Sequence, residues 1–215
     1  MNRNHDIRID RSKLHPQLNY KLGLLLKKCE KKGVYLIITE GFRSKKQQDE
    51  LYAQGRTKPG KIVTNAKGSS ESSQHQWGIA FDIAMNYDVD GDGKITDDTW
   101  NLKGFSEVAK IAKSIGLGWG GDWKFVDTPH FYIKKWGSTT SKLKQQYGTF
   151  ENFKKTWSAV VYRAKGLILW KDALKTKKIL RIPNGKRVKV LHKKLWYAKV
   201  KYGNNVGYVN RKYIK

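Results

Sequence analysis

Cysteine is nearly absent from this chain. Cys29 is the only one in 215 residues, so an internal disulfide is impossible and a thiolate-rich zinc finger is excluded. With Leu22, Leu25 and Leu26 close by at helical spacing, it reads as a small core residue. No apolar run approaches the roughly 18 residues that cross a bilayer, so a soluble chain without membrane insertion is expected. The opening Met1-Asn2-Arg3-Asn4-His5-Asp6 has no apolar stretch of the kind a secretory signal needs, which predicts synthesis in a cytoplasm. Acids are also scarce: 18 Asp and Glu stand against 44 Lys and Arg, for a net charge of +26. A charge so far from zero speaks about partners rather than fold, and calls for a polyanion.

The excess is unevenly spread. Residues 158–215 hold 17 Lys and Arg against one acid, Asp172, or +16, whereas the first 157 residues carry +10. A length of 215 residues suits one ordinary domain plus a small appendage, and the tail has the charge of a binding module. Apolar spacing predicts a helix over 16–31, a buried strand over 34–39 and a second helix from a Ser44/Gln47 capping box to Gly55, which puts Arg43 in the strand-to-helix turn. Residues 57–73 read as a long loop of the kind that borders active sites. Ile79, Phe81 and Ile83 alternate with Ala80, Asp82 and Ala84, the mark of a strand with a lone carboxylate on its small-residue face. A third helix ends at Gly116, and a short strand begins at His130, with His130 opposite in face to Phe131 and Ile133. The expected fold is α+β, a small antiparallel sheet flanked by helices over 1–137. A linker over 138–157 with one helix near 143–147 follows, and then an all-β barrel over 158–215, made of strands near 160–162, 167–170, 179–182, 187–191, 196–202 and 206–209.

Chemistry concentrates in three short stretches: Ser73-Gln74-His75, Gly78-Ile79-Ala80-Phe81-Asp82 and Asp127-Thr128-Pro129-His130-Phe131. A catalytic zinc takes three protein ligands and leaves a place for water, whose ionisation it moves toward neutral pH. His75, Asp82 and His130 supply such a set. Asp127 is the candidate base that takes the water's proton and passes it to the leaving amine, and Arg43 is the candidate cation for the charge that builds on the carbonyl oxygen. Taken one at a time, each of these residues would read as a cap or surface group; their combined spacing argues otherwise.

Ser73-x-His75-x-x-Gly78-x-Ala80-x-Asp82, Asp127-x-Pro129-His130-Phe131 and Gly41-Phe42-Arg43-Ser44 together resemble the zinc peptidases of the D-alanyl-D-alanine carboxypeptidase and L-alanyl-D-glutamate endopeptidase family. Leu51-Tyr52-Ala53-Gln54-Gly55-Arg56-Thr57 and Trp119-Gly120-Gly121-Asp122-Trp123 are similar to its phage endolysin branch. Covering about residues 18–131, the resemblance implies zinc on His75, Asp82 and His130, Asp127 as base, Arg43 as transition-state stabiliser, and Ser73 and Gln48 as supporting or substrate-contacting residues. Gln76-Trp77 departs from the family pattern at the pocket. The tail, with Val188-x-Val190-Leu191, Trp196-Tyr197-x-x-Val200 and Gly207-Tyr208-Val209-x-x-x-Tyr213-Ile214, resembles a bacterial SH3-type cell-wall-binding domain.

The resemblance implies an endolysin: a monomer made in a host bacterial cytoplasm, cutting the L-alanyl-D-glutamate bond of peptidoglycan and held to the anionic wall polymers of a Gram-positive cell. Removal of terminal D-alanine is the alternative. A basic nucleic-acid-binding protein is a remote one, because it leaves the His and Asp motifs unexplained. Separately, residues 88–99 follow a calcium-loop scheme, with Asp88, Asp90, Asp92 and Lys94 at positions one, three, five and seven and Gly93 at position six. Thr99 stands where a bidentate Glu belongs. Weak calcium binding is expected there, against the alternative of an acidic turn without an ion.

Overall fold

The computed structural model describes residues 4–163 and 165–215; Met1 to Arg3, half of the polar opening stretch, and Ala164 lie outside the described residues. The chain divides into two compact units, Met1–Phe150 and Glu151–Lys215. The division falls inside the segment read as a linker. Among the described residues no helix is long and apolar enough to cross a membrane.

Unit 1 opens with a two-residue strand, β1 (Asp6–Ile7), followed by helix α1 (Pro16–Glu30). Pro16 sits at the first helical position, where a missing N–H costs nothing, and His15 caps the helix by accepting from the Gln17 N–H at 3.1 Å. The Leu18, Leu22, Leu25, Leu26 and Cys29 stripe is buried as its spacing requires. The chain then forms β2 (Leu36–Glu40), α2 (Lys45–Ala53), β3 (Ala80–Met85), α3 (Leu102–Ser114), β4 (Leu117–Trp119), β5 (His130–Ile133) and α4 (Ser141–Tyr147). The expected capping box is present on α2: Ser44 Oγ accepts from the Gln47 N–H at 3.2 Å, and Gln47 Oε1 accepts from the Ser44 N–H at 2.9 Å.

Five strands make one sheet in the order β1-β2-β3-β5-β4. It is not wholly antiparallel as expected: β1 runs parallel to β2, because α1 forms a crossover between them, and every other pairing is antiparallel. Packing of α1 and α3 is tied off by Lys21, whose Nζ donates to the Ile115 and Gly116 carbonyls at 2.6 and 2.7 Å, where α3 exposes its unpaired C-terminal oxygens. At the centre of the sheet β3 is buried on both faces except at Asp82, and Phe81 stacks on Phe131 with centroids 5.9 Å apart.

The register places function on a single row. Glu40 of β2 lies opposite Asp82 of β3, and Asp82 lies opposite His130 of β5. A register shift between Ile38 and Glu40 turns the end of β2, a bulge of the kind that re-aims side chains beside active sites.

The connector holds two helices where one was expected. α4 is followed by α5 (Phe150–Lys155), whose single buried Phe153 is too little pattern to announce a helix. Unit 2 carries β6 (Ser158–Val160), β7 (Leu167–Trp170), β8 (Lys178–Ile182), β9 (Arg187–Lys193), β10 (Tyr197–Tyr202) and β11 (Asn205–Asn210). They form an antiparallel sheet in the order β6-β9-β10-β11-β7-β8 over a core that includes Val161, Leu169, Ile182, Val188, Val200 and Val209. The first strand lies two residues earlier than expected, since Val161 makes only an isolated bridge to Ile214. Gly203, at φ 56°, opens the two-residue turn between β10 and β11, the conformation such a hairpin needs at that position. The expected SH3-like barrel is not closed: among the described residues no pairing joins edge strands β6 and β8, one only three residues long and the other largely exposed.

Candidate metal centre

His75 sits in a buried 3-10 turn, Gln74–Trp77, that Gly78 ends at φ 63°. The His75 carbonyl accepts from the Arg43 N–H at 3.2 Å, which stitches this turn to the chain leaving β2. Asp82 occupies the middle of β3, and His130 starts β5. Three atoms converge: His130 Nδ1 lies 3.0 Å from Asp82 Oδ1 and 3.2 Å from His75 Nε2, and His75 Nε2 lies 3.3 Å from Asp82 Oδ1.

The outer sides of both rings decide what the inner sides present. His75 Nδ1 lies 2.7 Å from the Gly41 carbonyl, which can only accept, so this nitrogen carries the proton. Gln74 Nε2 donates to the Gly137 carbonyl at 3.0 Å, which orients the amide and leaves Oε1 facing His130 Nε2 at 2.8 Å. That nitrogen is therefore the donor as well. With neutral rings, His75 Nε2, His130 Nδ1 and Asp82 Oδ1 are three lone-pair donors gathered with no hydrogen among them. Such a set suits a metal cation. A tetrahedral ion with bonds of about 2.0–2.1 Å has donor–donor edges of about 3.3 Å, and the observed triangle fits one.

The three groups are also coupled electrostatically. Burial alone would depress the pKa of His75, but the adjacent Asp82 carboxylate reverses the effect and raises it. Burial likewise opposes the Asp82 charge, and the two imidazoles overcome it, holding this carboxylate well below the usual range.

Arg43 reaches the same region. Its Nη1 donates to Gln48 Oε1 at 2.9 Å and its Nη2 pairs with Glu40 Oε2 at 3.3 Å, whereas its buried Nε has no partner among the described residues. Gln48, fully buried, also donates to Thr64 Oγ1 and the Ala66 carbonyl at 3.1 and 2.9 Å, so it braces Arg43 from α2. Asp127 stands at the solvent-facing rim. Partial desolvation raises its pKa, with Asp82 adding to the rise and His130 opposing it. Its turn depends on Gly120, which accepts from the Asp127 N–H at 3.1 Å; a Cβ on Gly120 would collide with the main-chain carbonyl oxygen of Asp127 and lie 3.1 Å from His130 Cβ. Trp123 walls the site, its ring 5.0 Å from that of His130. Ser73 caps the Gln74–Trp77 turn, its N–H 3.4 Å from Gln76 Oε1.

In the loop expected to hold calcium, Asp88 and Asp90 of the expected set gather with buried Asp98, which the sequence pattern did not single out. Asp92 turns to Lys94, and the Thr99 hydroxyl donates to the Thr96 carbonyl of its own turn. Asp88 accepts from the Gly91 and Gly93 N–H groups at 2.6 and 2.9 Å, which shapes the loop around it. Sequence reasoning gave no role to Glu40 or Gln74, and used Gly41 only as part of a motif. Gln74 sits beside a ligand in the sequence, but the carbonyl that orients it is 63 positions away.

A family model described as D-alanyl-D-alanine carboxypeptidase matches residues 67–133, the span that contains all three converging residues. The peptidoglycan L-alanyl-D-glutamate endopeptidase CwlK of Bacillus subtilis (strain 168) is 45% identical over 130 residues, 55% of this chain and 72% of that protein. The L-alanyl-D-glutamate peptidase of Listeria phage A118 is 36% identical over 123 residues, 54% of this chain but 37% of the phage protein. Among solved structures, the Serratia marcescens L-Ala D-Glu endopeptidase ChiX aligns with a TM-score of 0.41 at 25% identity, covering 58% of this chain and 83% of its own. With the identity to the Bacillus protein extending over nearly three quarters of that relative, the chain belongs to the D-alanyl-D-alanine carboxypeptidase family of metallopeptidases, which also holds L-alanyl-D-glutamate endopeptidases.

Proposed function

We propose that this chain is a zinc-dependent endopeptidase that cuts the L-alanyl-D-glutamate bond of peptidoglycan stem peptides and works as a phage-type endolysin, with unit 2 as its wall-binding module. The observation that carries the reading is the convergence of His75 Nε2, His130 Nδ1 and Asp82 Oδ1 within 3.3 Å of one another. Zinc held there supplies Lewis acidity and brings the ionisation of water toward neutral pH. Asp127, at the rim with its pKa raised, takes a proton from water and returns it to the leaving amine. Arg43 is fixed by Gln48 and Glu40, and its guanidinium brings a positioned positive charge to the carbonyl oxygen as negative charge develops. The Bacillus and phage relatives support the choice of bond. Unit 2 contributes adhesion: a small sheet with 17 basic residues against one acid in 158–215 suits the anionic polymers of a Gram-positive wall.

The family model's own description favours a second reading, release of terminal D-alanine. Digestion of purified peptidoglycan followed by mass spectrometry separates the two. The endopeptidase must create a new D-glutamate amino terminus, lose activity to a chelator and regain it with zinc. Free D-alanine as the sole product establishes the carboxypeptidase instead, and chelator-resistant lysis removes the metal from the mechanism.

A further inference from the structure

We infer that Gln74 is a positioning residue that keeps His130 in the tautomer able to bind metal. The inference rests on the reading of His75, Asp82 and His130 as the metal site. The Nδ1 of His130 lies 3.0 Å from Asp82 Oδ1, ordinary hydrogen-bonding distance. Were the ring proton on Nδ1, it would bridge these two atoms and remove a lone pair of His130 and one of Asp82 from the site together. Only the demand for that proton at Nε2 prevents this, and the demand comes from Gln74 Oε1 at 2.8 Å.

Gln74 is fit for this task because its amide has no freedom to turn. The side chain is buried, its Nε2 is committed to the Gly137 carbonyl at 3.0 Å, and the main-chain carbonyl of Gln74 accepts from the Ile79 N–H at 3.3 Å, which anchors the residue's backbone. Rotating the amide would set an NH2 group against His130 and a carbonyl oxygen against the Gly137 oxygen. Gly137 adopts φ 83°, a backbone that side-chain-bearing residues rarely take, so the carbonyl that fixes Gln74 is itself fixed by a glycine. His75 receives the equivalent service from the Gly41 main chain, which no substitution can delete. Gln74 is thus the side-chain half of the arrangement, and groups of this kind govern metal affinity as well as ligand orientation.

The test compares zinc affinity of the metal-free full chain, by competition with a chromogenic chelator, for the parent, Gln74→Met and Gln74→Glu. Methionine keeps the length and has no acceptor; glutamate restores the acceptor for the Nε2 proton. Gln74→Met is expected to bind zinc about 10- to 100-fold more weakly, and Gln74→Glu, which restores the acceptor but gives up the donor to the Gly137 carbonyl, to recover part of the loss, a rescue that simple packing would not give. Nitrogen NMR of the parent's imidazoles, metal-free in alkaline buffer, is expected to show His130 protonated at Nε2. Protonation at Nδ1 in the parent overturns the proposal whether or not the variants fold, as does a Gln74→Met affinity within twofold of the parent. A parent that binds no zinc at all defeats the metal-site reading and this proposal with it, and that flat titration is distinct from a tight parent matched by Gln74→Met.

Discussion

Arg43 and Asp127 border the same candidate metal centre, yet their environments predict different failures. Arg43 holds Gln48 through Nη1 and Glu40 through Nη2, and each of these terminal nitrogens keeps a second N–H. Lysine keeps the charge but has one donor group on a flexible stem and cannot hold both neighbours and the substrate at once. Arg43→Lys is therefore expected to lower kcat by about 10²- to 10³-fold with zinc content unchanged; near-parental kcat would remove Arg43 from transition-state stabilisation. Asp127 makes no contact in the converging triangle, whereas His130 is one of its corners. Asp127→Ala should then abolish hydrolysis, a loss of about 10²- to 10⁴-fold, while one zinc stays bound, and His130→Ala should lose the metal itself. Zinc analysis beside a wall-lysis assay checks both, and an active Asp127→Ala protein ends its assignment as base.

At the scale of elements, α1 carries a prediction of its own through His15. The ring caps the helix by accepting at Nδ1 and stacks edge-on against Trp136 at 5.3 Å. Burial, with a smaller push from Lys135, lowers its pKa from 6.5 to about 3. The unfolded chain therefore takes up this proton first, so the stability His15 contributes is complete above pH 6.5 and is lost as pH falls from there toward 3. The slope is about 1.4 kcal/mol per pH unit for one proton. Asparagine caps without titrating, so metal-free His15→Asn should lose less stability than the parent between pH 7.5 and 5 in urea unfolding. Equal losses in the two proteins would show that His15 is not buried neutral. Much of this element framework was legible beforehand, because α1, α2 and α3 announce themselves by period and caps, and alternation alone put Asp82 and His130 on one face. β1 was not legible, being two residues whose only identity is their pairing with β2. Glu40 and Gln74 were hidden for a related reason. Their roles are set by register across the sheet and by a main-chain carbonyl distant in sequence, and neither leaves a local pattern.

Across the whole molecule, charge makes a demand that folding alone does not explain. In unit 2, Lys201 of β10 lies directly opposite Lys189 of β9, and both are exposed. Like charges in facing cross-strand positions destabilise a sheet, so a chain selected only for a stable sheet would not place them there. The same pair adds to the positive field that would hold an anionic polymer, an attraction that weakens as salt screens it. Lys201→Glu converts the repulsive pair into an attractive one and removes two units of charge. It should raise the melting temperature of unit 2, corresponding to about 0.2–1 kcal/mol, and at the same time lower retention on purified wall at low salt, with the two proteins converging at high salt. Hydrolysis of soluble stem peptides should be unchanged, since no residue of the metal centre lies in unit 2. A variant that is more stable and binds wall as well as the parent would mean that the basic excess of unit 2 serves something other than adhesion. Stability gained together with retention lost would show that the positive charge is kept at the expense of the sheet that carries it.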